Sequence, residues 1–61
     1  MWYCTEHFNL RVRQRGFCKQ DILSTLRHGY KVFIADSVHV CYNGITIVVD
    51  GNKLITIYRG N

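Results

Sequence analysis

Proline is missing from this 61-residue sequence, acidic residues number only four, and no apolar run approaches the length that crosses a bilayer. Without proline, low-complexity tracts or internal repeats, nothing marks a linker, so the chain reads as one domain over 1–61. The shortage of acid leaves eight lysines and arginines largely uncompensated, a formal charge of +4. That balance favours anionic partners, either nucleic acid or an acidic protein. Cys4, Cys18 and Cys41 are odd in number and irregularly spaced, unlike the even framework of a secreted disulfide mini-protein. No charged segment followed by a long apolar stretch opens the chain. The expectation is a reduced, cytoplasmic protein with no membrane association.

What is present suffices for a small core. Hydrophobic content of 48% with 20% charged residues is that of a globular domain and argues against disorder. A chain of this size buries only about 60% of its unfolded surface, so a partner or a homodimer would help it.

The apolar period changes once. Up to about His28 it is helical; from about Tyr30 it is that of strands. Gly16 interrupts the helical half, and Cys18 to Asp21 has the layout of a capping box with Cys in place of Ser or Thr. Two short helices are predicted, over about 5–15 and 18–28, with Gly29 as a left-handed stop. Four strands follow, near 31–35, 38–43, 45–50 and 53–59. Asn43-Gly44 is a strong hairpin signal, and pairing Tyr42 with Ile45 puts Val38, Val40, Tyr42, Ile45, Ile47 and Val49 on one face. That face should lie under the helices, leaving His39, Cys41, Thr46 and Val48 on the other. After Asp50-Gly51-Asn52 a two-residue loop would bury Leu54, Thr56 and Tyr58, whereas a three-residue loop would bury Ile55 and Ile57. Two buried isoleucines are worth roughly 2 kcal/mol each, which selects the longer loop and turns Thr56 and Tyr58 to the open face. The fold class expected is α+β, two N-terminal helices on a four-stranded antiparallel meander.

The chemistry concentrates in His7-x3-Arg11-x3-Arg15-Gly16. Spacings of four stack these side chains along one helix stripe, where three groups that can all be cationic repel one another. Helix stability does not account for them; an anion would. On a helical wheel Arg11 falls about 40° and Arg15 about 80° from His7, inside an arc running from Leu10 to Val12. A guanidinium aimed inward needs a partner. That partner is either an internal carboxylate such as Asp21, Asp36 or Asp50, or a phosphate held in a cleft between helix and sheet edge. His7 has a plain reading as a half-buried, hydrogen-bonded ring, and a functional one as a proton carrier beside two arginines. Arg15 also has a plain reading, as a cation favoured by the dipole at a helix C-terminus.

The run His7-x3-Arg11-x3-Arg15-Gly16-Phe17, with a cap near Cys18, Asp21-Ile22, Leu26 and Gly29, resembles a widespread uncharacterised bacterial family of small domains. Its pattern is H-x3-R-x3-R-G-I-[ST]-x2-[DE]-V, then Gly and a curled sheet. That family looks like a compact relative of the RelE and BrnT toxins, in the fold group of barnase and colicin nuclease domains. The resemblance implies metal-independent RNA cleavage by attack of a ribose 2′-hydroxyl on the neighbouring phosphate. It would make His7 the acid or base and Arg11 the phosphate ligand, with Thr56 and Tyr58 as polar site residues on the last strand. Cys18 departs from the family's Ser or Thr.

Two further readings compete. A non-catalytic module would bind RNA, or an acidic antitoxin-like protein, through Arg11, Arg15 and Lys19, with Tyr58, Tyr42 and Tyr30 stacking on bases. A zinc site could draw on Cys4-x-x-His7 and His39-x-Cys41, but the second pair lacks the usual gap. The expectation is therefore no metal and no cofactor.

Overall fold

The computed structural model describes residues 1–60. It is an α+β fold: β1 (Tyr3–Cys4), α1 (Glu6–Arg15), α2 (Lys19–His28), β2 (Tyr30–Ile34), β3 (Ser37–Tyr42), β4 (Ile45–Asp50) and β5 (Lys53–Arg59). No helix among the described residues is long and apolar enough to cross a membrane.

Local chemistry sets the helix ends. The Thr5 hydroxyl oxygen accepts the Phe8 N–H at 3.1 Å, and its hydrogen points between the carbonyl oxygens of Leu54 and Ile55, 3.0 and 3.1 Å away. One residue therefore both caps α1 and ties it to β5. Gly16 stops that helix at φ 69°, a left-handed conformation that suits glycine. Cys18 occupies the N-cap of α2, but its thiol donates to Asp21 Oδ2 at 3.0 Å and does not accept a backbone N–H. The cap position is as expected and its chemistry is not, because a thiol is a weak acceptor. This cysteine is exposed.

The sheet has five strands in the order β1-β5-β4-β3-β2, and it is mixed. The expected four-stranded antiparallel meander is present as β2 to β5; β1 adds a parallel pairing of Tyr3 with Lys53 and Cys4 with Leu54. Two residues are too few to show a period, which is why this strand leaves no sequence signal. Asn43 and Gly44 both have positive φ, 52° and 81°, as a type I′ turn requires, and Tyr42 faces Ile45. The first two strands of the meander begin one residue earlier than expected, because Ala35-Asp36 forms the turn and Ile34 faces Ser37.

The last hairpin resolves the competition between loop lengths differently. Asp50 faces Lys53 across a two-residue loop, which brings Leu54 opposite Val49. Next, the register slips by one, so that Thr56 faces Val48 and Ile57 faces Ile47, leaving Ile55 as a bulge. Leu54 and Ile57 are thus both buried, at 2% and 1% exposure, while Ile55 is only half-buried. The bulge gains the best inward residue of each register, about 1.5–3 kcal/mol apiece.

The core joins Phe8, Phe17, Val40, Ile45, Ile47, Val49, Leu54 and Ile57, with Val12, Ile22, Leu26 and Val38 packed against it. Helix α1 lies on β5, and α2 lies on β3 and β4. Gly29 does not adopt the expected left-handed stop; its φ and ψ are −67° and 149°. Glycine is required there by proximity. A Cβ would collide with the Thr25 carbonyl oxygen, and would sit 2.6 Å from Val40 Cγ1 and 3.0 Å from the Cys41 carbonyl oxygen.

Candidate nucleic-acid interface

Helix α1 touches the core through Phe8 and Val12, and Leu10 is 43% exposed. The apolar arc is therefore narrower than the wheel suggested, and its centre is displaced from Arg11 towards Phe8 and Val12. Arg11 lies half-buried at the border of that arc, while His7 and Arg15 are exposed. A shallow depression beside His7 is lined by Glu6, Asn9, Leu10 and Arg13, which is the outer surface of the helix. Neither Arg11 nor Arg15 lines it, so the stripe does not border the expected cleft. Lys19 opens α2 and flanks a groove between the helices, floored by Phe8, Phe17 and Leu54.

A different cation completes the basic end of α1. Arg59, the last residue of β5, lies with its guanidinium carbon 4.4 Å from the centre of the Phe17 ring, and its Nη2 donates to the Arg15 carbonyl oxygen at 3.4 Å. Arg59 faces Ile45 in the ladder, on the helix side of the sheet. Alternation from Ile57 carries that information, since an inward Ile57 turns Arg59 inward too. Arg59 joins Arg15 at the C-terminal end of α1, one turn beyond Arg11, while Arg13 faces the outer depression. Glu6 shares the outer depression with Arg13 and stands about 13 Å from Arg15 along the helix axis; the other three carboxylates lie on other elements. Asp21 accepts from Cys18, and Asp36 and Asp50 belong to hairpin turns. The C-terminal end of the α1 dipole favours such cations.

Thr56 and Tyr58 project from the opposite face of the sheet, the one no helix covers. Two rows of side chains cross that face: Tyr30, Cys41, Thr46 and Tyr58, then Val32, His39, Val48 and Thr56. Tyr58 Oη lies 3.4 Å from His39 Nδ1. Thr46, 1% exposed, donates to the Gly60 carbonyl oxygen at 2.6 Å. The structure therefore joins Tyr58 to His39, a residue the sequence offered only as an open-face position or a metal ligand. It separates Thr56 and Tyr58 from His7 and Arg11, which stand on the helix layer. No family model, curated protein or solved structure matches the chain.

The cysteines and histidines weighed as zinc ligands are dispersed. Cys4 is exposed on the edge strand β1, Cys41 is buried in β3, and among the described residues no three His, Cys, Asp or Glu side chains gather as a metal site. What remains is an arginine-rich pole and an aromatic, histidine-bearing sheet face. They meet along the end of β5, where Arg59 and Tyr58 point to opposite sides of one strand. Among the described residues the edge of β5 beyond Leu54 carries no strand partner, since β1 pairs with Lys53 and Leu54.

Proposed function

We propose that this chain binds single-stranded RNA across the free end of β5, with Arg11, Arg13, Arg15 and Arg59 taking phosphates and Tyr58 stacking on a base. The junction of Arg59 with Arg15, beside Tyr58, is the observation that supports this reading. Guanidinia on a chain of net positive charge attract polyanions, and an adjacent aromatic ring turns attraction into a strand-binding surface. Binding of a labelled oligonucleotide, followed by anisotropy against salt, tests it. Four phosphate contacts give a slope of log affinity on log salt of about −3, and Arg11→Ala or Arg15→Ala each flattens it by about 0.7. A flat dependence, or variants with the parent slope, refutes the assignment.

A second reading, metal-independent cleavage by attack of a 2′-hydroxyl on the adjacent phosphate, is supported by the contact between Tyr58 and His39. It sets a proton-exchanging ring beside a phenol on the face next to the arginines. Chelator-resistant cleavage of mixed RNA, abolished in His39→Ala with the fold intact, is the outcome it requires. If His7→Ala abolishes cleavage instead, the helix stripe is the site. Intact RNA leaves binding as the function.

A further inference from the structure

Strand β2 is the edge of the sheet opposite β1, and all five of its residues are exposed. Four are large and apolar or aromatic: Tyr30 at 63%, Val32 at 39%, Phe33 at 75% and Ile34 at 52%. Natural edge strands are normally blunted by proline, a bulge or several charges; this one carries only Lys31 and pairs regularly with β3 along its whole length. In a hairpin with a two-residue loop, the closing residues exchange hydrogen bonds. Ile34, Val32 and Tyr30 therefore address β3, while the N–H and C=O groups of Lys31 and Phe33 point outward.

We propose that β2 pairs antiparallel with β2 of a second copy, about a two-fold axis through Val32, to form one continuous ten-stranded sheet. The charge of Lys31 selects the register. Centring on Val32 sets Lys31 opposite the partner's Phe33, and Tyr30 opposite the partner's Ile34, so the whole strand is used. Centring on Lys31 would oppose two like charges, and centring on Phe33 would leave Tyr30 and Lys31 outside the ladder. In the chosen register each ammonium meets an aromatic ring, a favourable contact. Lys31 and Phe33 lie on the helix side of the sheet, where an apolar groove of about 190 Å³ is lined by Trp2, Leu26, Val38, Val40 and Val49 beside them. The partner's Phe33 extends that groove.

Exposed aromatic side chains of this kind contribute on the order of 150 Å² each. With the aliphatic residues of both copies, the contact reaches roughly 1,000 Å², the lower bound for a specific interface. A weak, isologous dimer follows.

Sedimentation equilibrium on the full chain tests this. The parent protein should show a concentration-dependent monomer–dimer equilibrium with no larger species. Phe33→Lys opposes two lysine pairs and should weaken association by at least about tenfold, whereas Phe33→Glu places a carboxylate opposite each Lys31 and should preserve it. Phe33 is so exposed that both variants should keep the parent circular dichroism spectrum. The double variant Lys31→Glu with Phe33→Lys restores opposite charges and should recover the dimer, which serves as the readout if either single variant misfolds. A monomeric parent, growth beyond the dimer, or equal loss in Phe33→Lys and Phe33→Glu overturns the proposal.

Discussion

Replacing Gly29 with alanine separates two physical roles of a glycine. The backbone there, φ −67° and ψ 149°, is open to any residue. Alanine should therefore stabilise the fold by about 0.4–1 kcal/mol through the unfolded chain. Packing acts in the other direction. The added methyl overlaps the Thr25 carbonyl oxygen, approaches Val40 Cγ1 to 2.6 Å and reaches 3.0 Å from the Cys41 carbonyl oxygen. Two of those three atoms are backbone, so relief requires the end of α2 to lift from β3. Overpacking of this kind costs about 1–3 kcal/mol, and the larger figure applies where backbone must move. The steric effect wins, and Gly29→Ala should lower the thermal midpoint by roughly 4–8 °C per kcal/mol lost. Gly29→Asn sharpens the comparison. Asparagine is tolerated at a left-handed stop but brings the same Cβ and more, so it should cost at least as much as alanine. Thermal and urea unfolding measure both variants. A neutral or stabilised Gly29→Ala, or an asparagine variant clearly better than alanine, would refute the packing argument.

Two other substitutions probe how the chain is tied together. Thr5→Ala removes the α1 cap together with the link to Leu54 and Ile55, and should cost about 1–2 kcal/mol in urea denaturation. Thr5→Ser should recover most of it; a loss below about 0.5 kcal/mol would show that the cap is dispensable. Thr46→Val keeps the buried shape but strips the Gly60 carbonyl oxygen of its 2.6 Å donor. It should cost about 1 kcal/mol and speed exchange of the Gly60 amide, which bonds Gly44; unchanged exchange would mean the hydroxyl does not anchor this end.

Much of the architecture is legible in the chain because local signals agree with packing. Asn43-Gly44 sets the central hairpin, and its alternation assigns Val40, Ile47 and Val49 to the core. Other features escape because they depend on contacts distant in sequence. The Tyr3–Cys4 strand exists only through Lys53 and Leu54, and the bulge at Ile55 is a compromise between two registers that each look complete when read alone. Leu10 is exposed because α1 rests on β5 while α2 rests on β3 and β4, so the helices do not close over it. The candidate site was legible as a basic stripe, but its position was not. Arg59 joins it from the far end of the chain, and His39 meets Tyr58 only once three strands are in register.

The attachment of Thr5 to Leu54 and Ile55 also governs when the molecule can assemble. Both helices leave the ribosome before the strands that cover them, yet ten-residue helices are marginal in isolation and these have no apolar floor until β3, β4 and β5 emerge. The earlier segment must wait for the later one. During that interval Phe8, Phe17 and Leu26 lack the sheet that buries them, so the emergence of β5 sets the earliest moment at which either helix is native.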